Sequence, residues 1–207
     1  MRIQLGFVGE WIIATVIGFS IGTFLGANKV GLVQHIPGDF LFGLSIGLAQ
    51  LPVLYRYLPK PNNRIYLWVI ATTFAFPISV VLGRRSITFF APQSDMLNFC
   101  FGIGMGLGHG IIQSLAIRFF LPSVRWRFIF WIPFALVGWI IAEVISSGAN
   151  YTLALSIPTG LALALFTTIA WVLIFRSSGI LPAFAPTPRE DTSLLMEAAD
   201  KTARKQQ

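Results

Sequence analysis

The chain is short of charge. Of its 207 residues only 23 are Lys, Arg, Asp or Glu, 11%, where a soluble domain carries about 25%. The charges cluster and leave uncharged stretches of roughly 15 to 30 residues, which excludes a soluble globular domain and a disordered chain. Cysteine is nearly absent. Cys100 stands alone inside an apolar run, so neither an intramolecular disulfide nor a structural cysteine-zinc site is available. The two histidines, His35 and His109, have no H-E-x-x-H or Cys/His spacing around them. A nucleophile elbow, a P-loop and a carboxylate pair within one helical turn are also missing, so no enzyme, metal or resident cofactor is expected. A net charge of +7 could point to nucleic acid, but no basic stripe interleaves with aromatics on a polar face.

What remains is length and apolarity enough for six transmembrane helices. The uncharged runs place spans at about 6–28, 40–57, 65–83, 96–117, 128–145 and 152–175, an all-α membrane domain over residues 1–176. The first span lacks a basic leader and an A-x-A site and is expected to stay in place. One side holds twelve Lys and Arg residues, the other only Lys29, Arg84 and Arg85. The positive-inside rule then puts both termini in the cytoplasm. Residues 177–207 read as a cytoplasmic linker with Pro182, Pro186 and Pro188, then a short solvated helix over Asp191 to Lys205.

The chain also resembles itself. A shift of 63 lays Gly43, Gly47, Gln50, Leu58, Pro59, Arg64 and Trp68 on Gly106, Gly110, Gln113, Leu121, Pro122, Arg127 and Trp131. A shift of 57 lays Trp11 to Thr15 on Trp68 to Thr72. Helix 6, with Gly160, Ala164 and Thr167, reads as a degraded copy of helices 2 and 4. The pattern predicts three helical-hairpin repeats about an axis along the membrane normal.

Each repeated position has a physical meaning. Gly43 and Gly47, like Gly102, Gly106 and Gly110, share a helix face and invite close helix packing. Trp68 and Trp131 lie just inside basic clusters and read as interfacial anchors. Leu58-Pro59 and Leu121-Pro122 end helices 2 and 4. Gln50 and Gln113 are amides at membrane depth and must find partners, either other helices or a ligand. His109 shares a face with Gln113; it could be bonded internally, ligate a porphyrin metal, or carry a proton. Glu10 and Glu143 are expected to reach water from helix ends by snorkelling; facing the bundle interior, either would be a proton or cation site.

The segment Gly47-Leu-Ala-Gln50, followed by Leu54-Tyr55-Arg56, resembles a group of bacterial multi-pass membrane proteins. Their hairpins repeat a Gly-x-x-Gln…Leu-Arg helix end, and no activity is assigned to the group. Leu51 stands where that group often has Trp, and the second copy reads Gln113-Ser114. The resemblance implies a fold and no reaction. It also implies a bacterial cytoplasmic membrane, or an internal photosynthetic one. The leading expectation is an accessory or assembly subunit that touches lipid and other membrane subunits through its glycine-smooth faces. A small-solute transporter using Gln50, His109 and Gln113 is the second, and a binder of pigment or isoprenoid lipid the third.

Overall fold

The computed structural model describes residues 5–27, 37–58, 63–90, 96–146 and 153–179. They form α1 (Leu5–Ala27), α2 (Gly38–Tyr57), α3 (Tyr66–Phe90), α4 (Leu97–Phe120), α5 (Trp131–Ser146) and α6 (Leu153–Ser178). Short 3₁₀ segments, Asn63–Ile65 and Pro122–Phe130, lead into α3 and α5. All six helical segments are long and apolar enough to cross a membrane, the fifth once its 3₁₀ lead-in is included. Pro52, Pro77 and Pro158 sit inside helices, as membrane helices tolerate. α4 stops where Leu121 leaves helical geometry ahead of Pro122, which opens the 3₁₀ segment. α3 runs past Arg84 and Arg85 to Phe90, because long basic side chains at a helix end can reach away from hydrocarbon without breaking the ladder. α5 is correspondingly later than the apolar run indicates: residues 128–130 are 3₁₀, and the α-helix begins at Trp131. The tail helix expected over Asp191 to Lys205, its linker from Ile180 onward and Pro59 lie outside the described residues.

Each helix packs on its neighbours in sequence, and α6 returns to α1, so the six close into a ring. Outward faces are apolar at helical spacing: Ile13, Ile17 and Ile21 on α1, Ile70, Phe74 and Ile78 on α3, Ile111, Leu115 and Phe119 on α4, all exposed. Water would not tolerate so large an apolar surface; lipid would.

Glycine sets the spacing inside the ring. A Cβ on Gly102, Gly106 or Gly110 would fall 2.7, 2.5 or 3.1 Å from the Cα of Ile140, Leu136 or Ile132. These three contacts step down α4 and up α5 by one turn each, an antiparallel seam of backbone against backbone. The opposite face of α4 repeats the device, with Gly104 against Gly83 and Gly108 against Ser79. Gly43 and Gly47 do the same against Thr72, Thr73 and Val69 of α3.

At the end of the ring where α1 begins and α6 ends, four tryptophans meet in the core. Trp11, Trp68, Trp131 and Trp171 are 0–1% exposed. Every pair among them has ring centroids within 6.4 Å. The interfacial-anchor reading of Trp68 and Trp131 is therefore wrong. Nearness to an Arg cluster fixes a residue's depth but not its direction, and these indoles point inward, where a large ring buries most area.

Candidate functional site

A buried indole needs an acceptor for its N–H, and three of the four clustered tryptophans, Trp11, Trp68 and Trp131, find one on an even helix; Trp171 Nε1 has none among the described residues. Trp68 Nε1 donates to Gln50 Oε1 at 2.9 Å, and Trp131 Nε1 to Gln113 Oε1 at 3.0 Å. The amide nitrogens then donate onward, Gln50 Nε2 to Thr15 Oγ1 at 2.8 Å and Gln113 Nε2 to Thr72 Oγ1 at 3.1 Å. Each threonine hydroxyl passes its own proton back to a carbonyl one turn earlier, Trp11 O or Trp68 O. Two Trp–Gln–Thr chains of the same wiring thus stitch α1, α2 and α3, and α3, α4 and α5. At the remaining junction Trp11 Nε1 donates to Thr167 Oγ1 at 3.1 Å. Thr167 replaces the amide, and its hydroxyl bonds Leu163 O in its own helix. It therefore asks nothing of α5, where buried Ala135 occupies the position corresponding to Thr15 and Thr72. Both glutamines make bonds at both ends of the amide, to helices of the bundle.

His109 does not join Gln113. Its ring is 3% exposed and tilts over Trp139, with centroids 4.6 Å apart, while Phe76 meets it edge-on at 5.3 Å. Nδ1 lies 3.1 Å from Met105 O. A carbonyl only accepts, so Nδ1 carries the proton and Nε2 is left as an acceptor; Nε2 has no hydrogen-bond partner among the described residues.

At the end of the ring away from the four tryptophans the bundle opens. A cavity of about 590 Å³ is lined by Phe19, Gly22, Thr23 and Gly26 of α1, Pro37, and Gly38, Asp39 and Phe42 of α2. Phe76 and Val80 of α3, Phe101 and Met105 of α4, and Trp139 and Glu143 of α5 complete it. Glu143 is 4% exposed; Ser146 Oγ stands 3.4 Å from its Oε2. The snorkelling expected of Glu143 does not occur: the residue lies one turn from the helix end, but its side chain is on the inward face of α5 and goes into the cavity. Glu10 does reach the bundle edge, 2.8 Å from Arg56 Nη1 and 2.9 Å from Tyr57 Oη. His109 is not in the lining but backs it, since Phe76, Trp139 and Met105 all line the cavity and all touch the imidazole or bond it.

Of the three polar residues singled out from sequence, the two glutamines are built into the helix junctions and His109 sits behind the cavity wall. Glu143 and the aromatic lining were not foreseen as one site. Their only sequence signal was Trp139 and Glu143 one turn apart, which puts both on one helix face. Among the described residues no group of three or more His, Cys, Asp or Glu side chains is placed to hold a metal. Fold and site together define a multi-pass helical membrane protein with a cavity in one end of its bundle. No family model, curated protein or solved structure matches the chain.

Proposed function

We propose that the protein binds a small solute in this cavity, as a transporter or its solute-binding component does. The observation that supports it is the cavity itself: about 590 Å³, within the roughly 300–1,000 Å³ of small-molecule sites, mostly apolar with a few converging polar groups. In the same reading the ring is three hairpins, 5–57, 66–120 and 131–178, and the two Trp–Gln–Thr chains with their Thr167 variant mark the equivalent junctions. The basic count puts the termini in the cytoplasm, so the cavity faces outward. The motif around Gly47 to Arg56 supports membership in the bacterial Gly-x-x-Gln…Leu-Arg group and a bacterial cytoplasmic or photosynthetic membrane. The role is non-catalytic in this reading, since among the described residues the cavity offers rings and carboxylates but no nucleophile paired with a base.

The accessory-subunit expectation rested on glycine faces open to partners. Those glycines are spent on contacts within the chain, which removes that support and leaves the accessory reading only the scarcity of interior polar residues. The test is a thermal-shift screen of the purified protein in nanodiscs against neutral, cationic and anionic solutes. The control is Gly26→Phe, whose new side chain enters the cavity, where among the described residues a Cβ meets only Gly38 O at 4.0 Å. A solute at 100 times its Kd should stabilise the wild type by about 2.7 kcal/mol and the variant by nothing. No solute shifting the wild type, with a second membrane subunit co-purifying in fixed ratio, would return the accessory-subunit reading.

A further inference from the structure

The net charge of the chain belongs to one end of the bundle. By chain order, eight Lys and Arg residues up to Arg176 fall at the end of the four tryptophans, against one acid, Glu10. The tail from Arg189 onward is balanced, four basic residues to four acidic. The opposite end is balanced too, Lys29, Arg84 and Arg85 against Asp39, Asp95 and Glu143. The sign of the tryptophan end therefore follows from sequence and does not hang on any single ion pair.

Three of those arginines sit on the elbow between α4 and α5, a stretch described throughout. Leu121 and Val124 are buried in the tryptophan core and pin the elbow to the bundle. Arg125 follows with φ 50° and ψ −121°, a conformation that costs an L-residue energy. Across that bend the side chains change from buried Val124 to exposed Arg125 and Trp126. Arg118, in the last turn of α4, brings Nη1 to 3.5 Å from Pro122 O, so its guanidinium lies over the start of the same elbow. Arg127 is half-buried beside Trp126.

Trp126 is 60% exposed, whereas the other five tryptophans are at most 2% exposed. Phe119 and Ile129, in the same segment, are exposed as well. The shift of 63 that matches the chain to itself lays Tyr55, Asn62, Asn63 and Arg64 on Arg118, Arg125, Trp126 and Arg127. The α2–α3 connection is thus made without the tryptophan and with one of these three arginines, so the scaffold does not demand the set. Nucleic acid or an acidic peptide would be met by arginines alone. Exposed rings where a helix leaves the bilayer fit a partner with hydrocarbon beneath its phosphate: the indole lies at headgroup level, and guanidinium pairs with phosphate.

We propose that the α4–α5 elbow is a binding surface for anionic phospholipid, with Arg118, Arg125 and Arg127 on headgroup phosphate and Trp126 at the top of the acyl chains. The test uses the full chain in phosphatidylcholine nanodiscs. A minor fraction of the lipid is brominated in its acyl chains, either as phosphatidylglycerol or as phosphatidylcholine, and Trp126 is the indole open to quenching. Brominated phosphatidylglycerol should quench at about tenfold lower mole fraction than its phosphatidylcholine counterpart, and about 1 M salt should remove most of that preference. Trp126→Phe should abolish the quenching that distinguishes the two lipids. Arg125→Gly suits a positive φ, so it should keep or raise the unfolding midpoint while lowering the preference about fivefold. Adding Arg118→Gln should remove what is left. Arg84→Gln with Arg85→Gln, at the opposite end, should change nothing.

Equal quenching by the two lipids would overturn the proposal. So would a preference that survives Arg125→Gly with Arg118→Gln, or one lost on changing Arg84 and Arg85. A preference emerging only after the tail from Arg189 is removed would assign the surface to that tail instead. None of these outcomes bears on solute binding at the cavity.

Discussion

Replacing Gln113 by leucine should destabilise the bundle by about 2–4 kcal/mol. The amide is 6% exposed, so water is not a ready substitute. It accepts from Trp131 Nε1 at 3.0 Å and donates to Thr72 Oγ1 at 3.1 Å. Leucine roughly keeps the volume and removes both bonds, which in membrane proteins average about 0.6 kcal/mol each, or about 1.2 together. Thr72 still donates to Trp68 O and loses only an incoming proton. Trp131 fares worse, because its N–H is left buried without an acceptor, adding about 1–3 kcal/mol. If so, the Trp131→Phe background should blunt the effect of Gln113→Leu, with a coupling of about 1–2 kcal/mol in the double-mutant cycle. Reversible unfolding in mixed micelles as the fraction of sodium dodecyl sulfate rises would measure all four corners. A cost below about 0.5 kcal/mol with no coupling to Trp131 would refute the reasoning, since the amide would then be answering to water or to a ligand.

Three more outcomes are expected. Gly106→Leu should prevent folding or lower the unfolding midpoint sharply, because its Cβ alone would lie 2.5 Å from Leu136 Cα; Leu107→Ile, at an exposed position, should do neither, and equal yields and thermal stability for the two would put the glycine face against lipid. Glu10→Gln should cost no more than about 1 kcal/mol, and less in high salt, because the Arg56 side chain opposite is 69% exposed; a larger loss by the same unfolding assay would mean the pair is shielded. A reporter active only outside the cytoplasm should be silent when fused after Lys205 and active when inserted at Ser147-Gly148, and the reverse pattern would invert the orientation.

Much of the scaffold was legible because membrane spans announce themselves locally. Uncharged runs marked six helices, and the four-residue glycine spacing marked which helix faces could approach. The sequence match of Gln50 to Gln113 was visible too, as was that of Trp11 to Thr15 with Trp68 to Thr72. That these matches describe one bonded unit was not, because the unit spans three helices: Gln50 reaches back 35 residues to Thr15, and Trp11 bonds a residue 156 positions away. Depth was readable and direction was not, which is why Trp68 and Trp131 were set at the membrane surface and Glu143 in water. Both errors share a cause. Trp68 lies on α3 and Trp131 and Glu143 on α5, helices apolar on nearly every side, so the inward face is not marked by the helix's own pattern. The cavity was least legible of all, since five helices each give it a ring and none carries more than a fragment of it.

Solute binding at the cavity, with the glutamine junctions serving only the scaffold, is tested most directly by native mass spectrometry of the protein taken from its own membrane in mild detergent. Three versions should be compared: wild type, Gln50→Leu/Gln113→Leu and Gly26→Phe. The wild type should carry a small molecule, the double glutamine variant should be less stable but keep it, and Gly26→Phe should be stable and empty. A glutamine variant of wild-type stability that has lost the molecule, beside a Gly26→Phe protein that retains it, would contradict the account and move the site to the junctions.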